Sequence, residues 1–409
     1  MVPLAGLVDV AFLGHLSDVK HLAGVALATV LFNYLYWTFG FLRMSTTGLV
    51  AQASGRGDEE EALLIGLRHW LLALAVGVAI VILQWPLKEG GFTLLNASPE
   101  VKEAGRHFYD ALIWGAPATL LNFVLVGWFL GRAQSRQVLA LTATSSFVLV
   151  GLDYLFIIQW GWGSVGAGAA TALSQYTALV VGMIFVATDL PRITRLLPRL
   201  LDASWQAVFR LNLDITIRTL AHITVFSIFI NLGASLGTTV LAANAVMMQV
   251  VILGAYFIDG LAFATESLVG FGKGQGNPDV LVQVLRVSGL GSLVLGLAFA
   301  LIFISSPGPL FGLITNQPPV LALLPDLVVW LLPVLGFGSL AFMLDGYFLG
   351  LTEGAVLRNA TIFASLVGFA PLALFAWQQH SNPLLWLAMS GYMVARMLAL
   401  GIRVPATLQ

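Results

Sequence analysis

The chain of 409 residues contains no cysteine. That excludes disulfides, iron–sulfur clusters and thiol nucleophiles, and it leaves the compartment open. Charge is also scarce. Asp, Glu, Lys and Arg make up 10% of the residues, against about 25% in a soluble domain. A Walker loop is missing, so ATP bound by this chain is not the energy source, and no Gly-rich dinucleotide fingerprint follows a strand. Basic clusters interleaved with aromatics are missing too, which argues against a nucleic-acid partner. There is no HExxH and no paired His, so neither an intramembrane enzyme nor a metal site is expected, and no cofactor is implied. The charged n-region of a cleavable signal peptide is not visible.

What the chain has instead is apolar surface: 58% hydrophobic residues and a mean hydropathy of +0.91. A soluble fold has no place for so much of it, so the solvent must be lipid. Apolar runs long enough to cross a bilayer, about 20 residues each, lie at 22–53, 67–87, 107–131, 138–159, 165–188, 208–234, 241–272, 286–306, 325–351, 357–378 and 384–404. Met1 to Leu16 is apolar but short, and reads as the second half of a truncated first helix. The expected fold is all-α, with twelve transmembrane helices. The segments 88–100 and 307–324, rich in Pro or Gly, read as short outer loops. Pro117 and Pro333 mark bends within spans.

The chain repeats itself. His21 to Asp58 aligns without a gap on Val240 to Asn277, 219 positions later, with Leu22/Leu241, Thr46/Thr265, Leu49/Leu268, Gly55/Gly274 and Gly57/Gly276 identical. At the same offset, Gly127-Trp128-Phe129-Leu130-Gly131 meets Gly346-Tyr347-Phe348-Leu349-Gly350. Two halves of six helices each enter the membrane in the same direction, so the repeat is parallel, a pseudo-two-fold about the membrane normal. The expected division is an N-lobe over 1–188, a linker over 189–206 with Pro191 and Pro198, and a C-lobe over 207–409. Basic residues between the spans, from Arg56 to Arg403, favour one side by twelve to four. By the positive-inside rule that side, with both termini, is cytoplasmic.

Ionisable residues inside spans are costly and mark function by default. They are Asp9, Arg43, Asp153, Asp214, Arg218, Asp259, Glu266, Asp345 and Arg396. Asp9, with no basic neighbour in sequence, reads as a proton-exchanging carboxyl; the rival is a neutral Asp bonded to a neighbouring helix. Asp153 sits near a helix end, where an Asp facing water competes with a functional one. Asp214 and Arg218, four apart on one helix face, read as an internal ion pair. Asp259 and Glu266 share a face and have Gly40 and Thr47 as first-copy counterparts, while Asp345 stands opposite Val126. These extra acids suggest a proton or cation site. Arg43 and Arg396 read as partners of acids or carbonyls. His15, His21, His69, His107 and His380 read as helix-end residues, and only His222 as deep.

The ordered run LVDVAFLGHL, LAGVAL, FLRMSTTGLVAQASGRG, GWFLG, DGLAFATESLVGFGKG and LDGYFLGLTEGAVLRN resembles the multidrug and toxic compound extrusion (MATE) family, in particular its DinF-like branch. The resemblance covers essentially the whole chain. It implies two six-helix lobes and export of organic, often cationic and amphipathic, compounds in exchange for H⁺ or Na⁺. By motif it makes Asp9 the proton-linked acid of the first helix, Asp153 the fifth-helix acid and Thr171 the sixth-helix hydroxyl beside it. Leu149 stands where the family often has Asn. Arg218, Glu266 and Asp345 fall in motifs of the branch, and Asp345 lies in the helix that carries a cation-binding Asp in some relatives, so Na⁺ there is an option.

The expected protein is thus a secondary-active exporter, H⁺-coupled before Na⁺-coupled, working as a monomer in a bacterial inner membrane. The alternative is a lipid-linked precursor flippase of the same superfamily. It would need a basic cleft for pyrophosphate, and only Arg43, Arg218 and Arg396 are available.

Overall fold

A computed structural model describes residues 12–13, 19–95, 97–200 and 205–408. The described residues are helical almost throughout, and eleven helical stretches are long and apolar enough to cross a membrane. They begin and end within a turn or two of the apolar runs, except where polar first turns extend them. Glu59–Ile82, for example, opens on three glutamates behind Asp58, whose carboxylate accepts from the Glu61 N–H at 2.9 Å. That is an N-cap, with acids placed against the helix dipole.

The chain divides into two compact units. Unit 1 comprises 1–50 and 58–204. Its helices are α1 (Val19–Thr38), α2 (Phe41–Gly55), α3 (Glu59–Ile82), α4 (Gln84–Leu94), α5 (Pro99–Leu112), α6 (Ala116–Gly131), α7 (Ser135–Asp153), α8 (Gly163–Val186) and the short α9 (Leu190–Leu196). Unit 2 takes residues 51–57, the last turns of α2, together with 205–409. It holds α10 (Trp205–Ser235), α11 (Thr238–Gly274), α12 (Pro278–Ser305), α13 (Pro307–Gly312), α14 (Pro318–Leu327), α15 (Leu331–Gly350), α16 (Gly354–Phe363), α17 (Ala370–Gln378) and α18 (Asn382–Gly401). The segments expected as loops at 88–100 and 307–324 are largely helical instead, in α4, α13 and α14. Their prolines fall at first helical positions, where the missing N–H costs nothing.

The repeat has a steric cause. A Cβ on Gly127 would strike the carbonyl of Arg43, and one on Gly131 the carbonyl of Thr47. In unit 2, a Cβ on Gly346 would strike the carbonyl of Ala262, and one on Gly350 that of Glu266. All four contacts keep the 219-residue offset. With no hydrophobic drive between helices in lipid, close backbone approach through small residues supplies the attraction. The Gly-aromatic-Phe-Leu-Gly motif is therefore the crossing of α6 on α2 and of α15 on α11. The prolines at 117 and 333 each follow a 3₁₀ turn, Ile113–Gly115 and Val328–Trp330, that interrupts its span. Two π-helical segments, Tyr154–Gln159 and Ala364–Phe369, interrupt two more.

Each unit has its own core. Phe32, Tyr36, Phe92, Phe108 and Tyr109 pack at the centre of unit 1. Phe229, Met247, Trp386, Met389 and Tyr392 do so in unit 2. Unit 2 also buries a polar join. Asn244 and Asn382 exchange amide hydrogen bonds at 2.7 and 3.0 Å, and the Trp386 indole donates to Asn244 Oδ1 at 2.9 Å. These groups satisfy one another, as burial in a span requires.

Candidate functional site

In unit 2 the buried charges converge on Asp345. Gly346, next in sequence, lets α15 lie against α11, so the Asp345 side chain is sealed among helices and only 4% of the residue is exposed. Its Oδ2 accepts from Nη2 of Arg218, on α10, and from Nη2 of Arg396, on α18. Arg396 is fully buried. Its guanidinium lies 5.4 Å from the centre of the Phe342 ring, a cation–π contact, and its Nη1 is 3.4 Å from Nδ1 of His222. The same Nδ1 is 2.7 Å from the Tyr392 hydroxyl. A guanidinium can only donate, so this arrangement calls for an imidazole with Nδ1 as acceptor and its proton on Nε2.

The acids of α11 flank this centre. Since Ala262 meets Gly346 and Glu266 meets Gly350, the helices run parallel here, with Asp345 level with the stretch between Asp259 and Glu266. Glu266 is fully buried, Asp259 half-buried, and Asp259 lies within electrostatic reach of Arg396. Counted together, Asp345, Asp259 and Glu266 oppose Arg218 and Arg396, three acids to two bases.

The expected pair of Asp214 with Arg218 is not formed. Both are buried on α10, but their ion pairs run to other helices, Arg218 to Asp345 and Asp214 to Nη1 of Arg358 on α16. Packing decides this. Gly354 at the start of α16 sits directly against Asp214 Cβ, which brings Arg358, one turn on, over the carboxylate.

In unit 1, Asp153 is fully buried at the last residue of α7, where the π-helical turn begins. An Asp facing water is thereby excluded. A π-turn of this kind is a frequent mark of functional sites. Helices α7 and α8 pack antiparallel, with Phe156 against Gly166 and Gln175 Nε2 at 3.4 Å from Ser145 Oγ. This register puts Thr171 level with Leu149, about one turn from Asp153. The Thr171 hydroxyl is buried and makes no hydrogen bond among the described residues. Asp9 lies outside the described residues.

Neutral polar groups complete this side and were not singled out in the sequence. Asn122 of α6 donates to the Gln175 carbonyl at 2.8 Å and to its Oε1 at 3.1 Å. Their signal was an amide inside a span, a weaker cue than a charge. His69, expected at a helix end, is fully buried in α3, with Nε2 3.0 Å from Ser45 Oγ and Nδ1 2.9 Å from the Ile65 carbonyl. A polar first turn of α3, which the hydropathy run omits, moves His69 into the bundle.

Comparison with known proteins agrees with this architecture. The MatE family model matches residues 1–155 and 215–374. The DNA damage-inducible protein F of Escherichia coli is 33% identical over 98% of this chain and 87% of its own length. A probable multidrug resistance protein NorM of Thermotoga maritima is 25% identical over 78% of this chain and 69% of its own length. Among solved structures, a MOP superfamily transporter from Pyrococcus furiosus superposes with a TM-score of 0.87 at 22% identity, covering 100% of this chain and 93% of that one. An outward-facing multidrug resistance MATE family transporter does so with 0.85 at 22% identity, covering 100% and 92%. With its spans, its repeat and these relatives together, the chain belongs to the multidrug and toxic compound extrusion family, as an integral membrane transporter of the DinF-like branch.

Proposed function

We propose that this protein is a secondary-active exporter of small organic compounds, cationic or amphipathic, that takes up H⁺ in preference to Na⁺ in exchange. The two lobes, 1–188 and 207–409 with the linker 189–206 between them, would open to alternate sides as a monomer in a bacterial inner membrane, with both termini cytoplasmic. The observation that carries the reading is the set of buried ionisable groups: Asp153 in unit 1, and Asp345 with Arg218, Arg396, Asp259 and Glu266 in unit 2. Such groups are too costly in lipid to persist without a task. The names of relatives such as NorM point the same way.

In unit 1, Asp9 is the residue that exchanges the coupling proton, with Asp153 and Thr171 as the other coupling residues of the lobe. Substrate release follows when Asp9 gains its proton. In unit 2, Asp345, Asp259 and Glu266 lie close to Arg218 and Arg396, a buried set of charges whose balance a gained or lost proton would change. Both guanidiniums bear on one oxygen of Asp345, which favours a charge network over a Na⁺ ligand at that residue. The same engagement speaks against a flippase, because Arg218, Arg396 and Arg358 already hold carboxylates.

The test is efflux of a fluorescent organic cation from proteoliposomes under an imposed pH gradient, then an imposed Na⁺ gradient. The parent should export under the pH gradient, and Asp9→Asn should fold but not export. Undiminished proton-driven export by Asp9→Asn would overturn its role, and export under neither gradient would overturn the exporter reading.

A further inference from the structure

At one end of unit 1 the helices α3, α6, α8 and α9 enclose a cavity of about 120 Å³, lined by Leu63, Leu67, Trp70, Trp128, Met183 and Ile193 among others. The walls are apolar. The Trp128 indole N–H is already spent on the Ala62 carbonyl at 3.2 Å. Met183 is 39% exposed, so the cavity opens sideways on the surface of a spanning helix, where lipid chains lie. It is far smaller than the roughly 300–1,000 Å³ of a drug site.

The rim of this cavity is basic. Ile193 forms part of the wall, and Arg192 and Arg195 flank it on the same short helix. Among the described residues, the nearby acids are taken. Glu59 and Asp189 Oδ2 hold Arg132 at 3.1 and 2.8 Å, Glu60 holds Arg199 at 2.8 Å, and Glu61 faces Arg68 at 3.6 Å. The Asp58 carboxylate caps α3. Among the described residues Arg192 is left with only Asp189 Oδ1, at 3.8 Å, and is 62% exposed at its side chain. Arg195 is exposed, and no ion pair reaches it among the described residues. Arg136, at the start of α7, is exposed on the same end.

We propose that this cavity and its arginines form a site for an acidic phospholipid. A stretch of acyl chain fills the cavity beside Ile193, and the phosphate rests on Arg192 and Arg195. Basic groups at the bilayer surface and between helix ends recognise acidic lipids through this combination. The site lies wholly within unit 1 and does not depend on what the protein transports.

The experiment uses the full chain, delipidated in detergent, titrated with phosphatidylglycerol or with phosphatidylcholine of the same chains, and read by native mass spectrometry and thermal melting. Phosphatidylglycerol should bind on the order of ten-fold more tightly, and the preference should shrink as salt rises. Arg192→Gln with Arg195→Gln should remove the preference, while Arg192→Lys with Arg195→Lys should keep it. Leu67→Trp, which fills the cavity, should weaken both lipids. Inorganic phosphate alone should give no shift. Equal binding of the two lipids, a preference that survives the double Gln change, lipid binding untouched by Leu67→Trp, or an equal response to inorganic phosphate would each overturn the proposal.

Discussion

The guanidinium of Arg396, fully buried, donates to the same carboxylate oxygen of Asp345 that receives Arg218. One acid thus serves two bases on two other helices. Removing the acid takes a carboxylate from two guanidiniums at once, whereas removing either base leaves Asp345 with the other. Asp345→Asn should therefore cost more stability than Arg218→Gln or Arg396→Gln. Breaking a buried pair costs about 3–5 kcal/mol, and Asp345→Asn should lie at or above the top of that range. Thermal melting of the three variants in one detergent measures the order, and Arg396→Gln as the worst of the three would contradict it.

Asp214 is paired with Arg358 rather than with Arg218. A double-mutant cycle on Asp214→Asn and Arg358→Gln should show a coupling within the ~0.5–3 kcal/mol seen for touching residues. The Arg358 side chain is 32% exposed, so the value belongs at the low end. The cycle on Asp214→Asn with Arg218→Gln should give a smaller coupling. The reverse order would restore the pairing along one helix.

Gly350 approaches the Glu266 carbonyl too closely for any side chain. Gly350→Ala should separate α15 from α11 and cost about 1–3 kcal/mol, as overpacking does. Gly131→Ala should do the same in unit 1, where a Cβ would stand 2.7 Å from Val50 Cβ and 2.9 Å from the Thr47 carbonyl. Gly151→Ala is the control, because nothing lies within 4 Å of its added carbon. Melting temperatures that fall equally for all three would refute the steric account.

Glu89, outside the spanning segments on α4, holds Arg106 by a bidentate pair at 2.5 and 2.8 Å. The hydrogen bonds from Arg106 keep the Glu89 carboxyl below its ordinary range. A depressed carboxyl contributes stability above its unfolded value, near pH 4.5, and loses it as pH falls through the folded value. The melting difference between the parent and Glu89→Gln should be constant from pH 7 to about pH 5, then close on further acidification. A difference that grows in acid would show the sign to be wrong.

The sequence by itself determined the solvent, the number and approximate limits of the spans, the repeat and the family. Each is written in one dimension: run length, composition, and two glycines at a fixed spacing whose carbonyl contacts recur 219 residues on. It also named Asp345, Glu266 and Arg396 as charges inside spans, and these are buried, while for Asp153 it left a water-facing position open that burial rules out. Tertiary structure alone decided who meets whom. Asp214 and Arg218 share a helix, but Gly354 carries Arg358 to the first and α15 carries Asp345 to the second. His69 looked terminal and is buried, while Asn122, Gln175 and Asn244 make cross-helix bonds that no charge announced. A helix puts four-residue neighbours on one face, but in lipid the strongest partner is whichever charge the next helix delivers. That depends on crossing points and registers tens to hundreds of residues apart, which local spacing does not encode.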